Sequence, residues 1–525
     1  MAGVVKVPEK IIPKIKEKLE PNVIICFLCA LAFGLAAHMY KLVNWLPNWD
    51  SLVFRYDSQN MIHLGRWLLS AACAASSYYD LPWLGGLLTL IFHAGGAVCV
   101  CRVMRLKGKP ASGIVGAMVV TFPTVTSLLM YNYIADGYSL AFFFSCAAAM
   151  LLTEDRVTLL RAVSAAILIT LSAAIYQAYI TVTVMLLLMH LIDLALFGEV
   201  TAAELFKKSA LYLASGISGL AFYLALTKLS LFISGTELTS YQGMREAMSF
   251  GGVNISAAVY ICTHSFVNFF FDLSDGFGAF EILNCAAFTL IAVLYAGGAV
   301  RSGLLRSLPK TLLAVLYVLL LPFGASLLAF VNPAVDYHNL MKMGYCMFYL
   351  LLVLAYERTG IFGEKVRCAA SWGILAVCVG LVYVWIVTAN VSYHKLGMAY
   401  EKSYGTLIRI ADRIELTEGA EECDEILIIG ALSGSEDYSV QLSPEMTGTT
   451  DGYILRADDE SVGQSVVCSA LNDYCGKNYS FVSGERKREL LATETVKNMK
   501  PWSDKSSVAV EDGVIIVKLG EEDAN

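Results

Sequence analysis

The sequence predicts an α-helical polytopic membrane protein of about 11 spans with a small α/β module at its C-terminal end. Three observations predict this class. Hydrophobic residues make up 57% of the 525-residue chain and charged residues only 16%, against roughly half and a quarter in soluble globular domains. Apolar runs of about 17–22 residues recur between short charged stretches, the length that a helix needs to cross a bilayer. From about Val391 onward the long apolar runs give way to short β-branched ones separated by Gly, Ser and Thr clusters. The net charge of −7 argues against a nucleic-acid partner, and it hides two unlike halves because the acids gather in the C-terminal quarter.

Residues 1–22 hold Lys6, Lys10, Lys14, Lys16 and Lys18. They read as a cytoplasmic basic anchor on anionic lipid, and no small-residue cleavage site follows. Lys and Arg then fix the sides of the spans. Val23–Tyr40 runs outward. Trp83–Arg102 returns, so that Arg102, Arg105, Lys107 and Lys109 fall inside. Gly113–Leu129 goes out, and Gly137–Thr153 comes back to Arg156 and Arg161. Ala162–Leu196 is too long for one span, and Tyr176–Gln177 breaks it into two with an outer turn. Leu211–Ile233 goes out, and Ala279–Val300 returns to Arg301, Arg306 and Lys310. Leu312–Phe330 goes out, His338–Tyr356 comes in, and Ala369–Ala389 goes out. This scheme requires that Leu68–Tyr79 and Ile255–Phe271 do not cross, so both are read as helices on the outer face or re-entering from it.

The resulting divisions are a membrane domain at 23–390, with an outer loop at 41–82, and an extracytoplasmic α/β domain at 391–525. Within the latter, Tyr404–Glu415 has helical periodicity, and Ile426–Leu432 and Val514–Leu519 read as buried strands. Most of the 14 cysteines sit singly in apolar runs, as small hydrophobes. In the C-terminal domain a Cys468–Cys475 bridge is one option, with Cys423 left over.

The polar groups gather at the outer ends of the spans. Asn44–Trp67 reads NWLPNWDSLVFRYDSQNMIHLGRW, charge mixed with aromatics just beyond a span. A helix capped at Asn48 or Asp50 and running to about Leu64 would put Asp50, Phe54 and Asp57 on one face, with the carboxylates about 10 Å apart. That is too far to share a proton and far for one metal, so one of them reads as a lone base. The alternative is that Asp50 only caps the helix and Asp57 is solvated. Asp136 either caps the helix beginning at Gly137 or joins the polar set. Gln177 either satisfies a carbonyl at the break beside Tyr176 or faces a substrate. Arg66 and Lys342 are either lipid anchors or phosphate ligands, and His338 and Lys342, four apart, share a helix face. Arg245 and His264 sit in or after the later outer segments, and Trp49 and Trp67 offer aromatic walls. There is no P-loop, GxGxxG, HExxH or zinc spacing.

A carboxylate, several cations and aromatic walls at a membrane edge suit transfer from a lipid-phosphate sugar. Arg or Lys takes the charge of the departing phosphate. The Asp accepts the proton of the attacking hydroxyl. A transporter or flippase of lipid-linked glycan would need charges near the mid-membrane and an internal repeat, and the sequence offers neither. An O-antigen-type ligase using a longer lipid-linked glycan is the other alternative.

The stretches WDSLVFRYDSQNMIHLGRW, SSYYDLPW, YNYIADGYSLA and IYQAY resemble the serotype-converting type-II glucosyltransferases and their Gram-positive relatives, in the GT-C superfamily. The resemblance covers about residues 20–390. It implies a GT-C-like fold and inverting transfer of a hexose, glucose first, from a polyprenyl-phosphate donor to a cell-envelope glycan, outside the bacterial plasma membrane. It implies a polyprenyl-phosphate glycosyltransferase and a flippase acting upstream. Asp50 takes the catalytic position by its place upstream of GRW, and Asp57 is second. The resemblance carries Arg66 over as a motif residue without a fixed role; from the residues themselves, Arg66, Arg245, Lys342 and His338 are the candidates for the donor phosphate, and Trp49, Trp67, Asp136, Tyr176, Gln177 and His264 for the substrates. The spacing of Asp50 and Asp57 does not make a metal dyad, so no cofactor is assigned and a divalent cation stays open.

The charge bias makes a direct prediction. A periplasmic-active reporter fused after Asn525 is expected to be active, and the same reporter fused after Lys109 silent. The reverse pattern would place Asp50 on the cytoplasmic side.

Overall fold

The computed structural model describes residues 20–239, 255–271, 278–332, 335, 337–432, 446, 448, 454–455 and 463–521. The basic N-terminal lysines and Arg245, together with Tyr241, Gln242, Glu246, Asp272, Asp275 and Asp336, lie outside them. Nine helices among the described residues are long and apolar enough to cross a membrane. Two shorter apolar helices, Leu159–Ile175 and Ile255–Phe271, add to them.

The chain enters with α1 (Pro21–Val43), started by Pro21 at a position where its missing N–H costs nothing. Short helices α2 (Trp49–Val53) and α3 (Leu69–Cys73) follow in the connecting loop. The five residues of α3 are far too few to span. Then come α4 (Pro82–Val103), α5 (Lys109–Thr121), α6 (Pro123–Met130) and α7 (Asn132–Leu152). α1, α4, α5 and α7 form the tightest part of the bundle. Gly86 and Gly96 lie against Leu42 and Phe142, where a Cβ would approach to 2.6 and 2.4 Å. The expected break is present: α8 (Leu159–Ile175) stops at Tyr176, a short turn covers Gln177–Tyr179, and α9 (Ile180–Phe197) follows.

α10 (Ala202–Ser234) opens with a full capping box of Thr201 and Glu204. α11 (Ile255–Phe271) and α12 (Ala279–Arg301) come next. The predicted span Leu312–Phe330 is three pieces, α13 (Leu308–Leu319), α14 (Leu321–Ala325) and α15 (Leu327–Val331). Pro322 and Gly324 explain the interruption. α16 (Met343–Arg358) is buried on all sides from Met343 to Ala355, which is why its sequence is apolar all round. Near its end the Arg358 fork donates to both Asp193 oxygens of α9, at 2.8 and 2.6 Å.

α17 (Glu364–Glu415) corrects the sequence reading. The last span and the amphipathic helix at Tyr404–Glu415 are one helix of 52 residues, with no break at 390. It leads into β1 (Glu425–Ile429), α18 (Gly463–Cys475), β2 (Ser480–Phe481), α19 (Gly484–Leu491), α20 (Glu494–Asn498), β3 (Val508–Glu511) and β4 (Val514–Lys518). The sheet order is β2-β1-β4-β3. β1 pairs in parallel with both β2 and β4, and β3 pairs antiparallel to β4. Both predicted strands are therefore central and fully buried in their apolar runs. Cys423, Cys468 and Cys475 are free thiols. Seven residues of helix separate Cys468 from Cys475, about 10 Å of rise, which no disulfide bridges. α18 packs on α2, so this module and the 44–80 loop share one end of the bundle.

The Arg358 fork should hold α9 to α16. Arg358→Met leaves the Asp193 carboxylate buried without its partner and is expected to lower stability by about 3 kcal/mol. This would read as a lower unfolding midpoint in detergent, with Asp193→Leu in the same chain restoring much of the loss.

Candidate active site

The loop between α1 and α4 is a closed two-arm structure. Trp45 Nε1 donates to Asp80 Oδ2 at 3.0 Å, joining the loop's start to its end. Asn132 Nδ2 of α7 donates to Asp80 Oδ1 at 2.7 Å. The buried Lys41 donates to the Leu46 carbonyl and lies within electrostatic reach of Asp80. Between these points the arms pair as a short antiparallel bridge, with Asp80 N donating to Arg55 O at 2.9 Å and Asp57 N to Tyr78 O at 3.1 Å.

Asn48, not Asp50, caps α2: its Oδ1 accepts from Ser51 N at 2.9 Å. The expected helix to Leu64 does not form. It ends at Val53, because residues 55–57 pair with the other arm and Asp57 Oδ1 takes the Gln59 N–H at 2.6 Å. A side chain that captures its own backbone competes with the helix, and Gln59 turns to φ +54. Asp50 and Asp57 are therefore not on one helix face. Asp50 stands on α2, within electrostatic reach of the Tyr133 phenol, and Phe54 packs on the Tyr133 ring at 5.5 Å. Asp57 belongs to a turn.

The first two turns of α7 gather the other motifs. Asn132 holds Asp80, and Tyr133 faces α2. Asp136 is buried inside the helix instead of capping one that starts at Gly137. It accepts from Gly137 N at 2.9 Å and lies beside Cys73 of α3, whose thiol is pushed up by burial and by that carboxylate. Tyr138 stacks on Tyr176 at 4.0 Å with 9° between the rings. Arg66 donates to the Tyr138 hydroxyl at 2.7 Å, and its guanidinium lies 5.0 Å from the Tyr176 ring centre. The cation is thus fixed on two aromatic faces.

Gln177 spans to the GRW turn: its Nε2 donates to Leu64 O and to Tyr223 OH, both at 2.9 Å. It does satisfy a carbonyl, but one 113 residues away. Gly65, at φ +71, has no room for a side chain, since a Cβ would meet Tyr223 Oη at 2.5 Å. Trp67 packs on Ala173, Ala174 and Tyr223 at the break, and Trp49 against the main core.

One expectation needs correction. His338 and Lys342 flank the turn Asn339–Met341, ahead of α16, so four-residue spacing does not give them one helical face. That turn packs against α6, with Thr124 Oγ1 donating to Asn339 O at 2.8 Å. His264 lies on the exposed face of α11, stacked on Tyr260 and bonded to Asn268 at 3.2 Å. The buried face carries Ala258, Cys262, Phe266 and Phe270, so His264 points away from the packing partners of α11.

Sequence reasoning missed Asp80, Trp45, Lys41 and Tyr133. The available signal was an acid two residues before the Pro that opens a span, in SSYYDLPW. Among the described residues no three His, Cys, Asp or Glu side chains converge as a metal cage. Two open apolar grooves, of about 530 and 670 Å³, flank α1 away from Asp50. One is lined by Ile25, Lys109 and Tyr383, the other by Phe27, Arg102 and Phe143.

Comparison with known proteins gives three results. The model of the Glucosyl transferase GtrII family matches residues 39–356. No curated protein matches the chain. Two solved structures of the Archaeoglobus fulgidus oligosaccharyltransferase, one with Zn and sulfate and one with an inhibitory peptide and a dolichol-phosphate, are similar at 14% identity and a TM-score of 0.39. They cover 86% of this chain, which spans 66% of the first and 68% of the second.

Asp80 is the acceptor on which the loop closes. Asp80→Ala leaves the Trp45 and Asn132 donors without it and should cost about 2–3 kcal/mol. Hydrogen exchange should accelerate at residues 45–57 and 78–81 first, and an unchanged exchange pattern there would remove Asp80 from this role.

Proposed function

The chain belongs to the Glucosyl transferase GtrII family, and on that premise we propose the reaction of this membrane glycosyltransferase. It moves a hexose, glucose first, from a polyprenyl-phosphate donor to a cell-envelope glycan outside the bacterial plasma membrane, with Asp50 as general base. A polyprenyl-phosphate glycosyltransferase and a flippase make and deliver the donor.

One observation carries the reading: a carboxylate and a cation both lie beside the first two turns of α7. Asp50 is within electrostatic reach of Tyr133, and Arg66 donates to the Tyr138 hydroxyl. Both are partly buried. In the step, the acceptor hydroxyl oxygen bonds to the anomeric carbon while the bond from that carbon to the phosphate oxygen breaks. The hydroxyl proton goes to Asp50. The charge left on the lipid phosphate falls to Arg66, with Lys342, His338 and Arg245 as further candidates. A single in-line displacement inverts the anomeric centre. Trp49 offers a wall for the sugar ring. Gln177 and Trp67 are committed to holding the GRW turn, so they act on substrate through Arg66. Asp57 is committed to its turn and is not needed as a base.

The test is transfer by purified protein from labelled polyprenyl-phosphate hexoses to envelope glycan, with product mass as the readout and a chelator arm for a divalent cation. Asp50→Asn is expected to reduce turnover at least about 100-fold, and Asp57→Asn to stay within about threefold of wild type. Full transfer by Asp50→Asn would overturn the assignment.

A further inference from the structure

We propose that Arg55 is a positioning residue through which the C-terminal module sets the placement of Asp50. The proposal rests on the reading of Asp50 given above. α2 has five residues and one side-chain cap, too short to hold a helix unaided. Its inner side is fixed by the bundle: Ser51 and Leu52 are buried, and Phe54 lies on Tyr133. It also meets α18, an element of the module 410 residues later in the chain.

Arg55 sits at the seam. Its backbone carbonyl takes the Asp80 N–H at 2.9 Å, which binds it to the returning arm of the loop. Its side chain reaches the other way. Nη1 lies 3.8 Å from Asp473 Oδ2, and the guanidinium lies 5.4 Å from the Trp45 ring and 5.8 Å from the Tyr474 ring. Trp45 touches Tyr474 at 6.0 Å and Tyr400 of α17 at 5.8 Å, and Tyr404 closes on Tyr474 at 5.7 Å. One guanidinium therefore lies between a ring of the loop and a ring of the module, while the acid beside the module's ring faces it. Planar cations favour that environment.

As a contributor to folding, an ion pair of this length is weak, because both side chains are about half exposed, at 51% and 43%. Its geometric consequence is larger. From Arg55 the chain runs back through Phe54 directly into α2. A shift of the seam moves the helix that bears Asp50, and a base displaced by about 1 Å can cost two orders of magnitude in rate. The module is then part of the catalytic geometry, although none of its groups touches the reacting atoms.

The experiment uses the full-length protein with Arg55→Ala, Asp473→Asn and Arg55→Lys. Turnover and donor KM are measured separately, and hydrogen exchange is followed in parallel. Arg55→Ala is expected to lower kcat about tenfold or more while donor KM stays within about twofold. Asp473→Asn should fall in between, and Arg55→Lys should recover much of the loss. Exchange should accelerate in residues 49–57 and stay unchanged in β1 and β4. Wild-type kcat in Arg55→Ala overturns the proposal. So does accelerated exchange throughout β1 and β4, which marks a merely structural role. If wild-type protein transfers no hexose from polyprenyl phosphate, the functional reading fails, and the local exchange pattern alone still decides whether Arg55 couples the module to α2.

Discussion

The structure of this end of the protein depends on one buried carboxylate. Asp80 is 7% exposed and accepts from Trp45 at one end of the loop and from Asn132 on α7. A buried carboxylate without partners is expensive, so these donors are held as firmly as they hold it. The consequence is topological. Trp45 and Asp80 are 35 positions apart in sequence, and the ends of this stretch are pinned to each other and to a helix of the bundle. Everything between the pins inherits that frame, including α2 with Asp50 and the turn with Gly65 and Arg66. A loop that would otherwise sample many shapes has few left, which is the condition for a preorganised site.

The frame explains why α7 has such an unusual first two turns for an apolar helix. Asn132, Tyr133, Asp136 and Tyr138 are all buried there. Asn132 and Tyr133 turn to the loop's closing pin and to α2. Asp136 turns to α3, where Gly137 lets Cys73 approach so closely that a Cβ would meet the thiol at 2.9 Å. Tyr138 turns to the α8–α9 break. These positions of one helix thus serve separate parts of this end of the structure. The Arg66–Tyr138–Tyr176 stack is the best-defined of these. The guanidinium is oriented before any ligand arrives, so its electrostatic effect needs no rearrangement.

Much of this was legible in the sequence, and the exceptions have physical causes. Span positions, the break at Tyr176 and the strands β1 and β4 follow from apolar length and composition, which are local signals. The helix expected from Asn48 to Leu64 failed because its fate is decided by pairing with residues 78–80 and by an Asp–Gln turn. Periodicity carries no trace of a partner arm. His338 and Lys342 were placed on one face by a spacing rule that holds only within a regular helix, and a short turn intervenes. His264 lies opposite the buried stripe Ala258, Cys262, Phe266, Phe270, a face that the spacing of those residues already marks in the sequence. Asp80 escaped because an acid just before a span looks like an ordinary boundary charge. Only the two donors that converge on it set it apart.

The continuity of α17 adds a constraint that the sequence division at 390 obscures. Its buried residues recur every three or four positions from Ala370 to Ile414 without a gap. Before and around residue 390 that stripe is covered by the bundle: Asn390 donates to Ala36 and Ala37 carbonyls of α1, and Tyr393 is hydrogen-bonded to His38. Farther on, the same stripe is covered by the module, where Ser403 Oγ accepts from Ile454 N and Arg413 is stacked on Trp502. A helix that passes from one partner to the next on a single face cannot rotate for one without rotating for the other. Bundle and module are therefore in register through α17 and touch again at α2. Two attachments, one covalent and one by packing, define the module's orientation where one would leave it free to swing.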